Sequence, residues 1–215
     1  MPLFYQQDIN EFTRLGVWHI TEEVDFFLQK AVFRYPIEHP HKQRQHLAAG
    51  YLLQVLFPDF PYQSIQSAAY QKPFLTGNPY YFSLSHTNEY AAAIVSQSVP
   101  TGIDIEMISP RVQRIRHKFL SVVENAWVSE FTPGEQDALL TLLWTIKETI
   151  YKWLERRGLG FSEHIEILPF EPDTVNRVTV NIHHPLHLQT VLVAFEKKGE
   201  FYLSYIARQP LIVEP

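Results

Sequence analysis

The sequence predicts an α+β fold in two halves, and three observations carry that reading. Apolar residues recur with helical period in a few segments, strand-like segments come mostly as hairpin-linked runs, and these elements fall into two halves with a midpoint near Gly102 to Pro110 of the 215 residues. The expected halves are an N-terminal α/β half, 1–105, and a C-terminal α/β half, 106–215. At 46% hydrophobic and 19% charged, the chain can cover a packed core. Eighteen Lys and Arg against 23 Asp and Glu leave a net charge of −5, so no global basic field recruits nucleic acid or an anionic membrane. With no cysteine, thiol nucleophiles, disulfide scaffolds and Cys-bearing zinc or iron-sulfur sites are excluded. No apolar run approaches the roughly 20 residues of a membrane span, and the N-terminus lacks a basic segment followed by an apolar one. A soluble, unexported, cytoplasmic protein is expected.

The elements follow in order. Thr21 to Tyr35 has an N-capping Thr, early acids and a later Lys and Arg, which are helix signals. His41 to Phe57 reads as a second helix ended by Pro58. Tyr80 to Ser85 alternates as a half-buried strand would, the HTNE segment supplies a turn, and Tyr90 to Ser96 is the return strand. In the strand Thr101 to Glu106, Ile103 and Ile105 face one way and Asp104 and Glu106 the other. Arg111 to Val128 reads as a helix, broken at Phe131 to Gly134, and a long helix of about Glu135 to Arg157 stops before Gly158. Strands are expected at Ile165 to Leu168, Val178 to Ile182, Thr190 to Glu196 and Phe201 to Ala207.

Four short constellations bear chemistry. Asp104 and Glu106, two apart on one strand face, have Cα atoms roughly 6.5 Å apart, close enough for both carboxylates to converge on one hard cation such as Mg²⁺. Taken alone, Asp-x-Glu equally suits a solvated strand face. In the long helix, Leu139, Leu143, Ile146, Ile150 and Trp153 form one stripe, and Trp144, Glu148 and Lys152 lie on another side. Glu148 and Lys152 read plainly as an i,i+4 surface pair. Trp144 beside them implies that a second surface covers this side, making Glu148 a candidate third carboxylate and Lys152 a candidate phosphate cation. Ser85-His86-Thr87 offers two hydroxyls and an imidazole to a phosphate, or is simple turn chemistry. Lys72 before Pro73 is a pre-aimed cation or an ordinary loop lysine. Together these groups suit a phosphorylated or pyrophosphorylated substrate held with a divalent cation.

Read in order, Lys72-Pro73, Phe82 to Thr87, Gly102 to Glu106, Lys118-Phe119-Leu120 to Glu124, and Trp144 to Lys152 resemble the 4'-phosphopantetheinyl transferases of the Sfp type over roughly residues 40 to 165. The resemblance implies two similar α/β halves related by a pseudo-twofold axis, with the active site between them. It also implies transfer of phosphopantetheine from coenzyme A to a serine of an apo acyl or peptidyl carrier protein, releasing adenosine 3',5'-bisphosphate. By position, Asp104, Glu106 and Glu148 would hold Mg²⁺. Lys152 would contact the phosphates and assist the leaving group, and Lys72, Ser85 and His86 would grip the 3'-phosphate end of coenzyme A. Glu148, or water held by the acids, would be the base for the carrier serine. A chain long enough for both halves is expected to act as a monomer.

Three positions depart from the family pattern. Gly50 aligns where an arginine is common, removing an expected cation that Arg44 would have to replace; Gln71 stands where glycine usually precedes Lys72-Pro73, and Thr149 follows Lys147-Glu148 in place of Ala or Ser. Two other readings use the same residues: a different reaction, a Mg²⁺-dependent phosphohydrolase, or no reaction, a coenzyme A or carrier-protein binding module without turnover. His39, His41 and His46, and His183, His184 and His187, lack helical zinc-site spacing and read as solvated surface. Arg111, Arg114 and Lys118 recur at helical spacing as a basic stripe, either solvated or suited to docking an acidic carrier.

Overall fold

The computed structural model describes residues 2–30, 39–66, 73–77, 80–155, 158–185 and 187–209. The chain divides into two compact units, Met1–Ile105 and Glu106–Pro215. No helix among the described residues is long and apolar enough to cross a membrane. Helices and antiparallel sheets occur in both units, which is the α+β class.

The first unit opens with a hairpin, β1 (Leu3–Asn10) and β2 (Thr13–His19), to which the sequence reading gave no element. Burial alternates residue by residue along β1, as at a sheet edge, whereas β2 is buried on both faces, Leu15 and Val17 on one and Gly16 and Trp18 on the other. Helices α1 (Val24–Lys30) and α2 (Pro40–Leu56) follow; α2 begins on a proline, which needs no N–H partner in the first turn. Strands β3 (Tyr81–Thr87) and β4 (Tyr90–Ser96) complete an antiparallel sheet of order β1-β2-β4-β3. Leu47, Leu52, Leu53 and Leu56 of α2 form a core with Trp18, Phe82, Ala91, Ala93 and Val95 of the strands. The small side chains of β4 let the helix approach closely.

Strand β5 (Thr101–Met107) carries the division between the units and heads a second sheet of order β5-β9-β8-β7-β6. The helix expected from Arg111 to Val128 is three pieces: a 3₁₀ segment Pro110–Ile115, α3 (Arg116–Phe119) and α4 (Val122–Val128). The break has a local cause. Ser121 and Glu124 form a capping box that starts a new helix, satisfying orphan N–H groups at both positions. A second box, Thr132 with Glu135, starts α5 (Pro133–Leu154), which ends at Glu155 with φ +53°. After α6 (Phe161–His164), an element not expected, come β6 (Ile165–Ile167), β7 (Arg177–His184), β8 (His187–Lys198) and β9 (Phe201–Ala207).

Helix α5 lies on this sheet with little between them. The Thr149 hydroxyl bonds to the Ser204 hydroxyl at 2.6 Å and donates to the Ser204 carbonyl at 3.1 Å, and the Ser204 hydroxyl donates to the Thr145 carbonyl at 2.9 Å. Thr149, one of the departures from the family pattern, is therefore fully used where it stands.

Candidate active site

In the first unit the site begins at β3. The turn expected over His86 to Glu89 is shorter than that: Thr87 pairs with Tyr90, leaving a two-residue loop in which Asn88 takes φ +44°. Ser85, His86 and Thr87 are therefore strand residues, and alternation sends Ser85 and His86 to opposite faces.

The Ser85 hydroxyl donates to Asp104 Oδ1 at 2.6 Å and accepts from the Ile105 N–H at 3.3 Å, and the Ser83 hydroxyl accepts from the Ile103 N–H at 3.2 Å. Two strand serines thus hold the acidic strand in register. Asp104 is 3% exposed, so its carboxylate is oriented by Ser85 and shielded from bulk water, while Glu106, on the same face of β5, is half-buried. The role predicted for Ser85 was a coenzyme A contact; its bond here is to a predicted metal ligand.

His86 meets a residue that the sequence reading left on the surface. Its Nε2 lies 3.3 Å from His46 Nε2 of α2, with ring centroids 4.8 Å apart and planes at 62°. His46 is half-buried, and burial foremost, with Lys42 second, holds its pKa below the ordinary histidine value. The residue of α2 that reaches His86 is therefore His46, one turn before Gly50. Position 50 faces elsewhere: a Cβ there would overlap the Tyr62 hydroxyl, so the glycine is required by a close approach. Arg44 does not turn to His86 either; its guanidinium donates to Glu89 at 2.7 Å, and His41 Nδ1 lies 3.7 Å from the same carboxylate. Lys72 lies outside the described residues, as does Gln71.

In the second unit Trp144, Glu148 and Lys152 share a half-buried stripe of α5. The cover that Trp144 demanded is supplied by Phe119, at 5.2 Å between centroids, and Phe161, at 5.5 Å; Tyr151 adds a third contact to Phe161 at 5.6 Å. Glu148 and Lys152 thus sit beside an aromatic cluster, one turn apart.

The residue missed in this helix is Lys147. It is fully buried, and its three N–H groups are shared among four acceptors, Glu124 at 2.7 Å and the carbonyls of Phe119, Phe161 and Ile165 at 2.8, 3.0 and 2.6 Å. Glu124, 2% exposed, also accepts from the Ser121 N–H at 2.7 Å and the Ile167 N–H at 2.9 Å. One ion pair ties α3, α4, α5, α6 and β6 together beneath Glu148. Burial pushes the Lys147 pKa down, and Glu124 opposes that shift. The sequence carried the signal: Lys147 is four residues after Leu143 and three before Ile150, on the apolar stripe.

His183 approaches Glu166 at 3.2 Å, and His184 packs on the His164 ring. Among the described residues no group of three or more His, Asp or Glu side chains is close enough to hold a metal as it stands. As a donor set, Asp104, Glu106 and Glu148 offer only carboxylate oxygens, the chemistry that fits a hard cation such as Mg²⁺.

The family model of the ACPS domain, described as the 4'-phosphopantetheinyl transferase superfamily, matches residues 100–206. The chain belongs to this superfamily. The match takes in Asp104, Glu106, Glu124, Lys147, Glu148 and Lys152. Among curated proteins, the chain is 35% identical over 136 residues to the 4'-phosphopantetheinyl transferase gsp of Aneurinibacillus migulanus, which covers 62% of this chain and 54% of that one. It is 26% identical over 145 residues to the 4'-phosphopantetheinyl transferase of Bacillus subtilis, covering 66% and 61% respectively. A shorter match, 35% identical over 81 residues, is to the transferase AcpT of Salmonella typhi, covering 37% of this chain and 42% of that one. The chain thus aligns with little more than half the length of the first two relatives.

Proposed function

We propose that this chain transfers the 4'-phosphopantetheine group of coenzyme A to a serine hydroxyl of an apo acyl or peptidyl carrier protein, as a cytoplasmic monomer using Mg²⁺. The observation that best supports this reading is the superfamily match across residues 100–206, which contains both carboxylates of β5 and the Glu148/Lys152 pair of α5.

In this mechanism the carrier serine oxygen attacks the phosphorus that bears pantetheine. The bridging P–O bond of the pyrophosphate breaks, and adenosine 3',5'-bisphosphate leaves with the electron pair. A serine hydroxyl is a weak nucleophile until a base takes its proton, and Glu148, directly or through a water, takes it. Lys152 stabilises the leaving phosphate. Asp104, Glu106 and Glu148 would hold Mg²⁺, which when bound would neutralise charge on the pyrophosphate. The Ser85 hydroxyl fixes the rotamer of Asp104, and Lys72 and His86 take the 3'-phosphate end.

The carrier has a candidate landing surface in the second unit. Arg111, Arg114 and Lys118 are exposed, whereas the Arg116 guanidinium is engaged at the surface, donating to Asn125 at 2.8 Å. Beside them Val122 and Val123, at the start of α4, are 88% and 65% exposed. Cations around an uncovered apolar pair suit an acidic helical partner.

One assay tests the proposal. Chromatographic release of adenosine 3',5'-bisphosphate should require an apo carrier, and Arg111→Glu with Arg114→Glu should raise the carrier KM about 10-fold or more at low salt, as expected for steering charges. Release without carrier would favour hydrolysis, and an unchanged KM would remove the docking role.

A further inference from the structure

The His46–His86 pair has a chemistry that a permanent cation would not have. Two imidazole Nε2 atoms 3.3 Å apart can share a single proton, one ring donating and the other accepting. A second proton would point two N–H groups at each other, so the pair titrates as a unit. The surrounding charges reinforce this. From α2 come Lys42, one turn before His46, and Arg44 and His41; from the β3–β4 loop comes Glu89, already bonded to Arg44 at 2.7 Å. Gln45 donates to the Asn88 carbonyl at 2.8 Å, locking the loop to the helix. The strand opposite His86 brings Ala91, and a 3₁₀ turn at Tyr62–Ser64 brings Tyr62 to Gly50. Helix α1 meets α2 further along, where Phe26 and Phe27 pack on Tyr51.

An anion at this pair changes its preference. The oxygens of a phosphomonoester offer an acceptor to each Nε2, so both rings can donate at once and both are favoured as cations. We infer that His46 and His86 form a proton-loaded grip for the 3'-phosphomonoester of coenzyme A, so that binding takes up protons and selectivity for coenzyme A over 3'-dephospho-coenzyme A falls as pH rises. This rests on the coenzyme A reading above and adds its specificity-determining residue, His46, together with the pH dependence of the step. The lowered pKa of His46, from burial first and Lys42 second, agrees: in the free protein the charged ring is disfavoured, and binding must draw the missing proton from the solvent.

The test is titration calorimetry of the full chain with coenzyme A and with 3'-dephospho-coenzyme A, in buffers of unlike ionisation enthalpy and across neutral to alkaline pH. Above about pH 7 the phosphate is already a dianion, since its second pKa is near 6, so its own ionisation does not weaken binding there. Coenzyme A should bind with uptake of about one proton, and its Kd should rise up to roughly tenfold per pH unit. Dephospho-coenzyme A should bind without uptake. His46→Arg, which installs a permanent cation, should cut the proton uptake by about half or more and flatten the pH dependence. A Kd for coenzyme A that does not change with pH in the unaltered protein, or equal uptake in His46→Arg, overturns the inference while leaving the coenzyme A reading intact. No coenzyme A binding at any pH overturns both.

Discussion

Glu148→Gln is expected to remove about 10²–10⁴-fold of the transfer rate, because the amide can neither accept the serine proton nor offer a charged ligand to the metal. The side chain stands on a half-buried stripe with Trp144 and Lys152, and its amide isostere fills the same volume. The fold should therefore be preserved, with circular dichroism and thermal midpoint close to those of the unaltered protein. Single-turnover measurement with saturating coenzyme A and carrier separates the chemical step from binding. Retention of most of kcat would take Glu148 out of both roles.

The second large effect concerns stability and falls on residues that touch no substrate in this account. Glu124→Gln leaves the Lys147 ammonium buried with three carbonyls but no bonded counter-charge, and breaking a buried pair in this way costs about 3–5 kcal/mol. Lys147→Met should be comparably destabilising, since it strands Glu124 and removes the donor to Phe119, Phe161 and Ile165. The double variant should be less destabilised than the sum of the two, because the charges leave together, but not restored, because those carbonyls stay without their donor. Urea unfolding followed by tryptophan fluorescence reads chiefly the correct unit, as three of the four tryptophans, Trp127, Trp144 and Trp153, lie in Glu106–Pro215, and Trp18→Phe removes the signal of the other unit. Additive losses in the double variant would mean that the two residues stabilise the protein independently.

Much of this molecule was readable wherever periodicity and caps agreed. Helix α5 is the clearest case: an apolar stripe, a break at Phe131 to Gly134 and a stop before Gly158 placed it to within a few residues, the helix itself taking in Pro133 and Gly134. What escaped has identifiable causes. The β1–β2 hairpin hides because β1 carries glutamines and an aspartate on a sheet edge, where apolar alternation is weak. The break after Phe119 was spelled out by Ser121 and Glu124, but the helical spacing of Arg111, Arg114 and Lys118 masked it; in a 3₁₀ segment, residues three apart eclipse and give the same impression. The site was legible as residue types more than as partners. Asp104, Glu106, Glu148 and Lys152 could be named from chemistry and resemblance, whereas Lys147 was passed over because a lysine in a helix is normally solvated. His46 escaped because its significance depends on a strand 40 residues away, a contact with no local signature.

The most direct test of the central claim is the intact mass of an apo carrier protein after incubation with this chain, coenzyme A and Mg²⁺, beside an EDTA control. The account predicts a metal-dependent gain of one phosphopantetheinyl group, absent when the carrier's acceptor serine is replaced by alanine. An unchanged carrier mass across several acyl and peptidyl carriers, with coenzyme A bound by the protein, would contradict it.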